Sequence, residues 1–215
     1  MRPIVKLCGQ TRVEDARMCV RHGADIIGFV VEYPRPVPWS LSAAAAGELI
    51  SAVAESAETC VVTGGPPEKI LRVAAETKPD YIQLHYGESL EDVRRLAGEL
   101  GKYGIKIIKT VFPDTPDLEK TAADFSASGV YALLFDPRTP DNAVVGGAAD
   151  LSVYKKLCGV ARCPVILAGG ITPLNAAETV RRSGAGIIDI MTGVESSPGV
   201  KDEAKVAALF KSLRS

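Results

Sequence analysis

The run Ile4-Val5-Lys6-Leu7-Cys8-Gly9-Gln10-Thr11 leads into a helical pattern over Val13–Arg21 and then a second apolar run, Ile26–Val31. Both apolar runs are short, β-branched and continuous rather than alternating, as in parallel strands buried on both faces. A strand, a glycine-containing turn, a helix and a second strand make one βαβ unit. Its turn, Cys8-Gly9-Gln10-Thr11, is not the Gly-x-Gly-x-x-Gly of a dinucleotide-binding open sheet.

The rhythm recurs to the end of the chain. Further strands are predicted at Thr59–Thr63, Tyr81–Leu84, Lys106–Val111, Ala132–Phe135, Pro164–Ala168 and Ile187–Met191. Helices are predicted at Ala43–Ala54, Pro67–Glu76, Leu90–Leu100, Asp117–Ser126, Leu151–Cys158, Asn175–Arg182 and Asp202–Leu213. Thr11 with Glu14 three residues on has the spacing of a capping box, Ser89 stands at a cap position, and Pro67 at a first-turn position. Eight strand–helix units in 215 residues imply an α/β fold, a single (β/α)8 TIM barrel spanning 1–215 with little spare loop. The longest loops are expected after the second strand, Glu32 to Ser42, and the sixth, Pro137 to Asp150, on the face where barrels place their chemistry.

Composition narrows the classes. Apolar residues make up 47%, enough for one core, and no apolar run approaches the roughly 20 residues of a membrane span. A net charge of -1 gives no general attraction to nucleic acid or to a membrane surface, so any anion binding must be local. The chain enters its first strand without the regions of a signal peptide, and a cytoplasmic location is expected. Five cysteines form no Cys-x-x-Cys pair and, with His22 and His85, no zinc spacing; neither a metal nor an organic cofactor is expected. Cys19 and Cys60 read as small core residues.

Cys8 differs, because it closes the first strand. Asp136 stands in the same position after Leu133-Leu134-Phe135. In a barrel these two end on different sides of one mouth, a thiol and a carboxyl group flanking whatever lies across it. Gly169-Gly170 follows the seventh strand and Thr192-Gly193 the eighth, where barrels hold phosphate on backbone N–H groups. Each feature alone has an ordinary reading: a buried apolar residue, a turn former, tight loops. Together they point to an enzyme acting on a small phosphorylated substrate. His85 and Gln83 end the fourth strand as a polar wall or as satisfied structural groups, and Asp189 is expected to steady the phosphate loop or to satisfy backbone donors.

Several stretches resemble the phosphoribosylanthranilate isomerase family. They are Val5 to Thr11 with Glu14-Asp15-Ala16, Gly23 to Phe29, Gln83-Leu84-His85, Leu167 to Ile171 with Pro173 and Asn175, and Gly193 to Asp202. The resemblance runs essentially end to end. It implies the Amadori rearrangement of tryptophan biosynthesis, an aldose–ketose isomerisation in a monomer or homodimer. Asp136 would be the general acid, a carboxyl kept protonated by apolar surroundings, and Cys8 the base, a thiolate poised by positive potential. Arg35 would hold the substrate's carboxylate, since an arginine fork binds both oxygens.

The chain departs from the family pattern at the same face. The loop before Arg35 is shorter, Gly146-Gly147-Ala148-Ala149 lacks a hydroxyl and a glycine, Met191 replaces a small donor, and Val61-Val62-Thr63-Gly64-Gly65 lacks the customary aromatic residue. These changes keep open a second reading, a divergent barrel isomerase or epimerase for another phosphorylated amino sugar. A non-catalytic phosphosugar-binding protein would be expected to have lost Cys8 or Asp136, and both are present.

Overall fold

Eight parallel strands close into a barrel in their order along the chain. In the computed structural model, which describes residues 2–138 and 147–214, they are β1 (Ile4–Leu7), β2 (Ile26–Val30), β3 (Glu58–Thr63), β4 (Tyr81–Leu84), β5 (Lys106–Val111), β6 (Ala132–Phe135), β7 (Val165–Ala168) and β8 (Ile187–Ile190). The helices α1 (Val13–His22), α2 (Ala43–Ser51), α3 (Pro67–Thr77) and α4 (Leu90–Gly101) follow the first four strands. Then come α5 (Leu118–Ser126), α6 (Leu151–Val160), α7 (Ala176–Ser183) and α8 (Glu203–Ser212). Closure is made by β1 on β8, with Ile4 opposite Ile187 and Leu7 opposite Ile190.

Because side chains alternate across a strand, every strand serves two cores. Val5 and Leu7, Ile27 and Phe29, Leu133 and Phe135 face the helices. Ile26 and Val30, Cys60 and Val62, Leu134, Ile166 and Ile187 fill the barrel. Burial on both faces is why the strands read as unbroken apolar runs. Cys19 and Cys60 are both buried, in the outer and inner cores respectively.

Local signals behave unevenly. Ser89 accepts the Asp92 N–H at 3.1 Å and caps α4, and Pro67 is the first residue of α3, behind Pro66. The capping box expected at Thr11 does not form. Arg12 occupies the cap position of α1 with no side-chain bond, and the Thr11 hydroxyl instead donates to the Gly199 carbonyl at 2.6 Å. Thr11 sits one residue too early to cap, and the hairpin of Glu195–Ser197 with Val200–Lys201 offers it a partner.

Candidate active site

Cys8 begins the turn after β1 and is only 4% exposed. The thiol points across to β2, where Gly28 leaves room for it. A β-carbon on Gly28 would stand 2.7 Å from Cys8 Sγ, so glycine is required there for the sulfur to occupy this place. Gly9, at φ 74°, then turns the chain in a conformation that disfavours side chains.

Below Cys8 the barrel holds a buried ion pair. Lys6 on β1 donates to Asp189 Oδ2 on β8 at 3.0 Å, with the lysine side chain wholly enclosed. Asp189 thus bonds Lys6 rather than backbone donors, because the closing register puts the two side by side. Burial works against the Lys6 ammonium, but Asp189 and the thiols of Cys8 and Cys60 outweigh it and raise the pKa. The same lysine acts on Cys8. Burial pushes that thiol up, Lys6 and Lys201 partly offset the effect, and the balance leaves it above its ordinary value.

Asp136 follows β6, across the mouth, and its side chain is 2% exposed. Both its oxygens are taken by Arg138. The backbone N–H and Nε donate to Oδ1 at 2.9 and 3.1 Å, and Nη2 donates to Oδ2 at 2.9 Å. Apolar surroundings do not keep this carboxyl protonated. Burial raises its pKa, but the adjacent guanidinium prevails and holds it below the ordinary carboxylate range. The sequence reading passed over Arg138. The available signal was Asp136-Pro137-Arg138 itself, a turn in which an aspartate bonds the N–H two residues on and brings the second side chain back to it.

His85, after β4, stands with Nε2 3.9 Å from Asp136 Oδ2. Gln83 Nε2 donates to His85 Nδ1 at 2.9 Å, and the Thr110 hydroxyl lies 3.0 Å from the same nitrogen. This bonding assigns the ring proton to Nε2, on the side of Asp136. Burial drives the imidazole pKa down to about 4 and the cations Arg138, Lys109 and Lys6 add to it, against Asp136. The ring is neutral at pH 7, so its contact with Asp136 is not an ion pair.

The turns after β7 and β8 meet at the other side of the cavity. Gly169 and Gly170 have φ of 93° and 66°. A β-carbon on Gly169 would lie 2.3 Å from the Pro137 ring, and one on Gly170 2.9 Å from Ala148 Cα. Thr192 to Val194 form one 3₁₀ turn, and a β-carbon on Gly193 would strike the Ile171 carbonyl oxygen. Close packing thus dictates glycine at these positions, independently of any ligand. Of the Gly146 to Ala149 segment, Gly146 lies outside the described residues.

Cys8, Gln83, His85, Asp136, Gly169, Gly170, Thr192 and Gly193 all line one cavity, together with Arg138, Asp189 and Met191. Arg35 does not. It lines a separate depression on the β2 loop with prolines 34, 36 and 38. Gly64, in the segment that lacks the family's aromatic, lies where a β-carbon would come 2.5 Å from Tyr86 Cβ. Among the described residues no group of three or more His, Cys, Asp or Glu side chains is placed to hold a metal ion.

Behind the rim runs a buried polar strut. Lys201 Nζ donates to Glu195 Oε1 at 2.7 Å and to the carbonyls of Cys8 and Met191 at 2.6 and 3.4 Å. Trp39 Nε1 donates to Glu195 Oε1 at 3.1 Å. One ion pair thereby ties the β1 turn, the β2 loop and the β8 turn together, and Met191 and Trp39 both pack against Gly9. Lys201→Met strands a buried carboxylate and is expected to cost about 3–5 kcal/mol of stability, measured by denaturant unfolding. The double variant with Glu195→Leu should recover a large part of it.

A comparison with known proteins bears on this geometry. The family model for N-(5'-phosphoribosyl)anthranilate (PRA) isomerase matches residues 5–212. The chain belongs to the PRA isomerase family. An N-(5'-phosphoribosyl)anthranilate isomerase from Rhodospirillum rubrum is 36% identical, over 98% of this chain and 97% of that protein. A crystal structure of a family member in complex with reduced 1-(o-carboxyphenylamino)-1-deoxyribulose 5-phosphate superposes with a TM-score of 0.82 at 27% identity, covering 100% of this chain and 99% of the other. Monomers generated from the dimeric PRA isomerase of Thermotoga maritima superpose with a TM-score of 0.81 at 28% identity, covering 100% and 99%. No helix among the described residues is long and apolar enough to cross a membrane.

Proposed function

We infer that this chain is an aldose–ketose isomerase that converts N-(5'-phosphoribosyl)anthranilate to 1-(o-carboxyphenylamino)-1-deoxyribulose 5-phosphate in tryptophan biosynthesis. The observation that carries the reading is that a chain matching this family over residues 5–212 keeps a thiol and a carboxyl group on the wall of one cavity. Asp136 protonates the furanose ring oxygen, and the C1–O bond breaks as the nitrogen lone pair forms a Schiff base. Cys8, as thiolate, takes the proton from C2, and the electron pair moves through C1 to nitrogen to give an enolamine. Protonation at C1, with loss of the C2 hydroxyl proton, completes the aminoketose. His85 and Gln83 line the aromatic side, the neutral Nε2–H of His85 steadying the acid.

The phosphate is assigned to the turns Gly169-Gly170 and Thr192-Gly193, which line the cavity and offer backbone N–H groups of the kind that bind phosphate in barrels. A dephosphorylated substrate analogue should bind more weakly by about two orders of magnitude, since hydrogen bonds to a charged group contribute about 1.5–3 kcal/mol each. Equal affinity of both forms in calorimetry would remove the phosphate from this place. Arg35 is not among the residues lining this cavity but sits on the same β2 loop as Tyr33 and Val37, which do line it. Five free cysteines agree with a reducing, cytoplasmic compartment, and the family relatives admit either a monomer or a homodimer.

The test of the function is turnover of phosphoribosylanthranilate by the purified protein, with rescue of a tryptophan auxotroph that lacks this step. Failure of both, with turnover of another phosphorylated amino sugar, would favour the divergent isomerase instead.

A further inference from the structure

The turn assigned to the phosphate and the turn that carries the base touch each other twice. On one side Met191 and Trp39 pack on Gly9, where a β-carbon would lie 2.9 Å from Met191 Cγ and 3.2 Å from Trp39 Cδ1. On the other, Lys201 Nζ donates to the Cys8 carbonyl at 2.6 Å, to Glu195 Oε1 at 2.7 Å and to the Met191 carbonyl at 3.4 Å. Met191 precedes the 3₁₀ turn Thr192–Val194, and Glu195 follows it, its N–H donating to the Thr192 carbonyl. Lys201 therefore grips the phosphate turn at both ends, and the base turn by the carbonyl of Cys8 itself.

Peptide geometry gives this connection a direction. The Met191 carbonyl and the Thr192 N–H belong to one rigid plane and point opposite ways. An anion bonded to that N–H fixes the plane and polarises it, which strengthens the bond that its oxygen accepts. The Met191 bond is the longest of the three and has room to tighten. The Cys8 carbonyl shares its own plane with the Gly9 N–H, at a turn where Gly9 has φ 74°. To orient that plane is to orient the residue whose sulfur must meet C2.

We propose that Lys201 is a positioning residue, through which the substrate's phosphate at the Thr192-Gly193 turn sets Cys8 in place to take the C2 proton. Phosphate binding then acts on kcat and not on affinity alone. The inference rests on the isomerase reading. Burial suits the relay. The Lys201 side chain is wholly enclosed and that of Glu195 nearly so, and charge-assisted hydrogen bonds shielded from water hold their geometry most firmly.

The experiment cuts the substrate in two. N-(D-erythrofuranosyl)anthranilate, which lacks the phosphate-bearing arm, is assayed alone and with inorganic phosphite, beside phosphoribosylanthranilate. In the wild type, phosphite should raise turnover of the truncated compound about 10- to 100-fold, the scale set by an ångström's misplacement of a reacting group. Lys201→Met with Glu195→Leu removes the relay without stranding a charge. It should lose about 10- to 100-fold in kcat on phosphoribosylanthranilate with KM little changed, and phosphite should no longer activate. A strut that merely held the fold would lower both substrates by one factor and leave the activation intact. If the double variant does not fold, Glu195→Gln decides. Its amide accepts more weakly than the carboxylate and should take about 3- to 10-fold from the activation. No activation of the wild type, undiminished activation in the variants, or a loss confined to KM would each overturn the proposal. A wild type inert toward phosphoribosylanthranilate would strike the function and this inference with it; one that turns it over without phosphite activation would strike the inference alone.

Discussion

Asp136→Asn is expected to lower kcat/KM for phosphoribosylanthranilate by about 10²–10⁴-fold, the usual contribution of one positioned proton-transfer group. The amide keeps the shape of the carboxyl but has no proton to give to a ring oxygen. Because Arg138 reaches the cavity, loss of its partner does not leave a cation sealed in the core. Unfolding midpoints should therefore move little while turnover collapses. A variant that retained the wild-type rate would remove Asp136 from the acid's role, and one that lost activity in proportion to lost folded protein would reduce it to a structural residue.

Cys8→Ser should lose activity over the same range of about 10²–10⁴-fold, because a hydroxyl is far too weak an acid to serve as an anionic base near neutrality. The space left by Gly28 accommodates oxygen as well as sulfur, so the fold should be unaffected. The pH dependence separates this from a packing effect. At low pH both groups are protonated and no thiolate exists; at high pH both are ionised and no acid exists. Between the limits one proton is shared, and the working form, thiolate with carboxylic acid, is a constant minority. With the carboxyl lowered and the thiol raised, kcat/KM should show a broad plateau. Its acid limb lies below the ordinary carboxylate range and its alkaline limb above the ordinary thiol range. The alkaline limb should vanish in Cys8→Ser. An alkaline limb that persisted there would assign it to another group.

The barrel was legible because its strands are buried on both faces and its helices on one, two patterns that short windows of sequence distinguish. The strand ends carrying Cys8 and Asp136 followed from the same pattern. What stayed hidden depends on closure. Lys6 and Asp189 are 183 residues apart and meet only because β8 returns to β1 in one register. Thr11 looked like a cap and became a cross-loop donor for the same reason. Arg138 was missed although it lies two residues from Asp136, because attention to strand ends passes over the turn that folds a neighbour back. Arg35 fitted a family position in the sequence, but in the structure it lies outside the cavity.

The enclosed thiol has a consequence for survival in the cell. Peroxide and other oxidants attack the thiolate rather than the thiol. A base kept protonated at rest and walled in beside Gly28 presents little of the reactive form between turnovers. The site gives up readiness in exchange for durability, and it should age more slowly under oxidative stress than a cysteine enzyme whose sulfur is ionised while it waits.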